Sequence, residues 1–197
     1  MFEGLTFKVQ NLPLPPPKGD MCGLSPFRGG RGRLIFSVIQ FLSYSAIYPI
    51  DLQAFTDEHF MKQALAEARQ AAAEGEVPVG AVIVCNDRII ARAHNQTERL
   101  CDPTAHAEIL AITAATGVLG AKYLTDCALF VTVEPCVMCA GAIGWAQIST
   151  LVFGATDEKR GYQLFAPKAL HPKTIVKKGI LENDCAAEMK LFFQKKR

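Results

Sequence analysis

The sequence predicts an α/β fold, a three-layer α/β/α domain built on a five-stranded mixed sheet. Three observations lead there. Valine- and isoleucine-rich runs recur between segments of helical spacing; one run, Val82-Ile83-Val84-Cys85, is continuously apolar, as in a strand covered on both faces; and Asn86-Asp87 joins it to a second run as a two-residue hairpin. With 197 residues, half of them apolar and one fifth charged, the chain is long enough for one well-buried core plus an appendage.

Taken in order, residues 1–51 stand apart from the domain expected over residues 52–197. They hold Pro13, the run Pro15-Pro16-Pro17 and Gly29-Gly30-Arg31-Gly32-Arg33, which oppose regular structure, and then a mostly apolar run from Leu34 to Ile50. That run reads as an appendage or a start assigned too far upstream, as a segment that packs on the domain or another chain, or as targeting; Ser37, Gln40, Ser43, Tyr44, Ser45 and Tyr48 interrupt it, against a membrane anchor. A helix is expected over 57–74, capped by Thr56 or Asp57, with Phe60, Ala64, Leu65, Ala68, Ala71 and Ala72 on one stripe and Gly75 as its stop. Residues 77–85 and 88–94 follow as the two hairpin strands. Pro103 and Thr104 are expected to open a helix running to Ala115, with Gly117 near its end. Residues 128–133 form a buried strand ended by Glu134-Pro135, and a helix over 136–146 follows. Two further strands, 150–153 and 174–177, and a last helix over 183–194 complete the domain.

The chemistry is concentrated between Thr104 and Cys139. His106 and Glu108 lie two residues apart, and Pro135-Cys136-Val137-Met138-Cys139 follows. His106, Cys136 and Cys139 supply three ligands for Zn²⁺, the number a catalytic site uses so that water can take the fourth position. Glu108 beside such a site can act as general acid and base. The H-x-E and P-C-x-x-C arrangement is the signature of zinc deaminases, which exchange an exocyclic NH₂ on a ring carbon for oxygen. Two blander readings of the C-x-x-C exist. A structural zinc site would need Cys85, Cys101 or Cys127 as a fourth ligand, and a redox pair would leave His106 and Glu108 without a purpose. Because His106 and Glu108 would point to opposite sides of a regular helix, they can share a site only in its first turn. The seven cysteines, an odd number scattered singly apart from the C-x-x-C, fit a reducing compartment; Cys85, Cys127 and Cys185 are expected in the core.

On these motifs the chain closely resembles the bacterial tRNA-specific adenosine deaminases of the cytidine-deaminase-like zinc superfamily. The resemblance extends through Glu76-Val77-Pro78-Val79-Gly80-Ala81-Val82, Asp102-Pro103, Val152-Phe153-Gly154-Ala155, Gly179-Ile180-Leu181 and Phe192-Phe193, from about residue 56 to the C-terminus. It implies a cytoplasmic homodimer with one Zn²⁺ per subunit and no membrane partner, which converts the wobble adenosine of a tRNA anticodon loop to inosine. It also implies that Asn95 contacts the target nucleoside and that Asp157 lies near the RNA backbone. The alternatives are a deaminase of a free base or nucleoside, such as guanine or cytosine, and a non-catalytic zinc-containing RNA-binding subunit. Charge favours RNA locally: residues 52–197 balance sixteen Lys and Arg against sixteen Asp and Glu, yet Lys159 to Lys178 holds six basic residues and no acidic one.

Overall fold

The computed structural model describes residues 56–196, which belong to one compact unit, Asp51–Arg197. The expectations for residues 1–51, and for Cys22, lie outside the described residues. The elements run α1 (Asp57–Ala73), β1 (Gly80–Cys85), β2 (Arg88–His94), α2 (Ala107–Leu119), β3 (Cys127–Val133), α3 (Val137–Ala146), β4 (Thr150–Ala155), α4 (Tyr162–Phe165), β5 (Ile175–Lys178) and α5 (Glu182–Lys195). The sheet order is β2-β1-β3-β4-β5, antiparallel for β2-β1 and β1-β3 and parallel for β3-β4 and β4-β5, so it is mixed as expected.

The continuous apolar runs are shared between two cores by the alternation of strand side chains. On one face Ala81, Ile83, Leu129, Val131, Leu151 and Phe153 pack with Ala107, Ala111 and Ala115 of α2 and with Ala140 and Ile143 of α3. On the other, Val82, Val84, Phe130 and Val152 pack with Phe60, Met61, Ala64 and Leu65 of α1 and with Cys185 of α5. The three layers are therefore α2 and α3, the sheet, and α1 and α5. Among the described residues, no helix is long and apolar enough to cross a membrane.

Local chemistry sets the element ends. Thr56 caps α1 by accepting a hydrogen bond from the His59 backbone N–H at 3.2 Å. Asn86 and Asp87 both take positive φ, 49° and 57°, the conformation a tight hairpin between right-twisted strands requires. The helix expected to start at Pro103 instead starts at Ala107. The Asp102 carboxylate accepts hydrogen bonds from the Thr104 backbone N–H and hydroxyl, at 2.8 and 2.7 Å, and folds residues 102–105 into a turn ahead of the helix. That helix also runs through Gly117 to a left-handed cap at Gly120. The short helix α4 carried no sequence signal. β5 is exposed at all four residues, unlike the buried β3 and β4.

At Gly80 the backbone of α1 comes so close to β1 that an added Cβ would collide with the Ala64 carbonyl and the Ala68 amide. Both obstacles are backbone, so neither can rotate away. Gly80→Ala should cost about 2–3 kcal/mol of stability, read from the denaturant midpoint, and an unchanged midpoint would refute this close packing.

Candidate active site

The site forms where the start of α2 meets the start of α3, at the carboxyl end of β3. His106 and Cys136 are the N-cap residues of α2 and α3, both with extended backbone (φ −73°, ψ 152° and φ −72°, ψ 173°). An N-cap side chain lies outside the helical spiral, so the rule that residues two apart face opposite sides does not apply to His106 and Glu108. Cys139 occupies the first turn of α3, where free backbone N–H groups and the helix dipole favour a thiolate.

His106, Cys136 and Cys139 offer one ligand atom each, all within 4.8 Å of one another. His106 Nδ1 lies 3.5 Å from Cys139 Sγ and 3.7 Å from Cys136 Sγ. A tetrahedral zinc ion with ordinary Zn–S and Zn–N bonds would set the N···S edge at about 3.6 Å, so the three donors fit the ion. The fourth-ligand alternatives are occupied elsewhere: Cys85 and Cys127 face each other across β1 and β3, and Cys101 is exposed. Cys127 and Cys185 are buried as expected, while Cys85 is only partly so. Among themselves the donors share protons. A hydrogen bond from Cys139 and another from His106 lower Cys136 to about 4, and Cys139, as proton donor and buried, is raised. His106 is raised chiefly by its hydrogen bond to Cys136.

Glu108 is buried, and among the described residues its Oε2 has no hydrogen-bond partner. Burial raises its carboxyl above the ordinary range. An unpaired carboxylate oxygen is costly in an apolar surround, and Glu108 lines the same cleft as His106 and Cys136. That cleft, about 1270 Å³, is also lined by Asn95, Asp157, Lys159, Arg160, Met189, Lys190, Phe193 and Lys196.

Asn95 and Asp157 thus reach the site, each held by a buried carboxylate whose role the sequence did not reveal. Glu76, 1% exposed, accepts hydrogen bonds from Asn95 Nδ2 (3.1 Å), Thr97 Oγ1 (3.2 Å) and the backbone N–H of Glu98 (3.2 Å) and Arg99 (2.8 Å). On the opposite wall, Glu134 accepts from the backbone N–H of Asp157 (3.2 Å) and Gln163 (3.1 Å). Gly161 leaves room for that carboxylate, which a side chain there would strike. The Asp157 carboxylate accepts from the backbone N–H of Lys159 (2.9 Å) and Arg160 (3.0 Å), so it shapes the turn that presents those two cations. Only the first part of the basic segment lines the cleft; Lys177, further along, pairs with Asp57 at 2.7 Å. No local pattern in the sequence marks Glu76, because its partners lie 19 to 23 positions away.

The model of the cytidine and deoxycytidylate deaminase zinc-binding region matches residues 55–155, and the chain belongs to that family. Within it, the chain is similar to tRNA-specific adenosine deaminases. One from Agrobacterium fabrum is 44% identical over 144 residues, covering 71% of this chain and 95% of the relative. Another, from Aquifex aeolicus, is 53% identical over 104 residues, 53% of this chain and 69% of the relative. A chloroplastic tRNA(adenine(34)) deaminase of Arabidopsis thaliana is 40% identical over 78% of this chain, which spans only 14% of that relative's length. Among solved structures, one from a study of A-to-I editing by tRNA:A34 deaminases is 44% identical with a TM-score of 0.63, covering 66% of this chain and 98% of that one. A guanine deaminase from Nitrosomonas europaea shares the fold at 24% identity and a TM-score of 0.60, covering 74% of this chain and 92% of that one.

Two measurements follow from this geometry. Cys136→Ala should leave the purified protein without stoichiometric zinc by elemental analysis; full zinc content would remove Cys136 from the ligand set. Glu76 bears on acid stability. Burial raises its carboxyl, but the hydrogen bonds from Arg99, Glu98, Thr97 and Asn95 outweigh burial and hold it below the ordinary 4.5. A carboxyl lowered in the folded state stabilises the fold above its unfolded value, and that contribution is lost as pH falls through the lower folded one. The wild type should therefore lose more stability than Glu76→Gln on acidification below about pH 4.5. Parallel losses would show that Glu76 titrates alike in both states.

Proposed function

We propose that this chain deaminates adenosine to inosine at the wobble position of a tRNA anticodon loop. The observation that carries the reading is the unpartnered, buried Oε2 of Glu108 beside the His106, Cys136 and Cys139 donors, in a chain covering nearly all of a tRNA-specific adenosine deaminase. Zn²⁺ bound to those three residues supplies the Lewis acidity that makes water nucleophilic near neutral pH. The reaction adds water at C6 of the adenine and releases ammonia. Glu108 takes one proton from the attacking water on its free oxygen and hands it to N1 of the ring, then carries the second, from the oxygen now on C6, to the departing amine, which leaves as ammonia. Burial of Glu108 keeps bulk water from competing for that proton. Asn95 contacts the nucleoside, and Asp157 contributes through the turn that carries Lys159 and Arg160.

The shape of the cleft favours RNA over a free base. Small-molecule pockets usually enclose about 300–1,000 Å³, whereas this cleft is larger and is rimmed by Lys159, Arg160, Lys190 and Lys196, with Phe193 about half exposed among them. Cations suit phosphates, and an exposed ring suits an unstacked base. An anticodon loop presents both, with its bases already partly unpaired. The chain acts as a homodimer, supported by the apolar outer side of α3, where Val137, Met138 and Trp145 are exposed, Trp145 at 84%. A reducing, cytoplasmic setting suits the six free cysteines of the described residues.

Incubation of the zinc-loaded protein with an anticodon stem-loop should yield inosine by mass spectrometry, with no product from free guanine or cytidine. Turnover of a free base without RNA turnover would refute the substrate assignment. Glu108→Gln should retain zinc and lose at least ~10³-fold in kcat. Loss of zinc and fold together would mark Glu108 as structural instead.

A further inference from the structure

Asn95 is 5% exposed, and its amide Nδ2 donates to Glu76 Oε2 at 3.1 Å and to Thr97 Oγ1 at 3.0 Å. The reverse orientation would set the amide oxygen against a carboxylate oxygen, so Glu76 fixes which end of the amide points inward. Glu76 Oε2 also accepts from Thr97 Oγ1 and the Glu98 backbone N–H, and Oε1 from the Arg99 backbone N–H. One carboxylate thereby ties the segment ahead of β1 to the loop that follows β2. The loop is tied again at its far end, where the Gln96 N–H donates to the Ala105 carbonyl at 3.0 Å, one residue before His106.

We propose that Glu76 is a positioning residue for the reaction: it turns the Asn95 NH₂ group inward and leaves the carbonyl oxygen as the atom Asn95 offers to the nucleoside. The inference rests on the reading of Asn95 as a nucleoside contact. Under it, Asn95 serves the cleft as a hydrogen-bond acceptor and recognises a donor on the ligand; on adenosine, whose ring nitrogens all accept, that donor is a sugar hydroxyl. Glu76 does not itself line the cleft and reaches the ligand only through Asn95 and the loop it holds. Replacing Glu76 by Gln leaves a single acceptor oxygen for four donors, so its NH₂ must face either the Arg99 N–H or the Asn95, Thr97 and Glu98 donors, and the tie that holds the Asn95 amide is loosened.

A double-mutant cycle on the zinc-loaded full chain decides the matter, using Glu76→Gln, Asn95→Ala and both together, well below the midpoint of thermal unfolding. KM and kcat are read for an anticodon stem-loop, with zinc content measured on each variant. Each single change should raise KM roughly tenfold with little change in kcat, and the double variant should also rise roughly tenfold, where independent effects would multiply to roughly a hundredfold. Multiplied effects, or a Glu76→Gln variant with unchanged KM and only a lowered thermal midpoint, would overturn the proposal. Free guanine and cytidine are run beside the RNA. If one of them is turned over and the stem-loop is not, the tRNA reading fails, and the same cycle read with that base still decides the role of Glu76.

Discussion

The structure depends on two helices beginning at the same point. The starts of α2 and α3 both lie at the carboxyl end of β3, and each contributes its N-cap side chain, His106 and Cys136, to one corner. A helix start leaves backbone N–H groups unpaired, which draws negative charge, and two thiols there answer that demand only if their protons give way to a cation. The parallel pairing of β3 with β4 requires the crossover that α3 supplies, so the strand order itself brings Cys136 to the edge where open α/β sheets accept ligands.

Much of this was legible in the sequence because it rests on short-range rules. Asn86-Asp87 specified a tight turn, Thr56 a cap, and the apolar runs a sheet buried on two sides; each depends on residues within a few positions of one another. The metal donors were legible because a three-ligand set has few alternatives. What misled was proline. Pro103 suggested a helix start, but the Asp102 side chain bonds Thr104 and spends those residues on a turn, delaying the helix to Ala107. The basic segment was legible only in one dimension: of that run Lys159 and Arg160 line the cleft, where Lys190 of α5 and Lys196 just after it join them from the far end of the chain.

Glu76 and Glu134 were harder to read because their partners are distant in sequence or are backbone amides. Glu76 bonds residues 19 to 23 positions away, and Glu134 bonds residues 23 and 29 away. No local pattern announces a carboxylate that is to accept backbone hydrogen bonds. Both glutamates are almost wholly buried, and burial at that level obliges a carboxylate to find donors. The structure uses that obligation: each carboxylate gathers a loop that would otherwise have no regular hydrogen bonding and sets it as a wall of the cleft.

The two walls are hung from anchors that take no part in holding the metal. The corner and the walls therefore have different supports: a substitution between Asn95 and Asp102, or between Asp157 and Gln163, alters the outline of the cleft without replacing any of the donors that the helix starts carry.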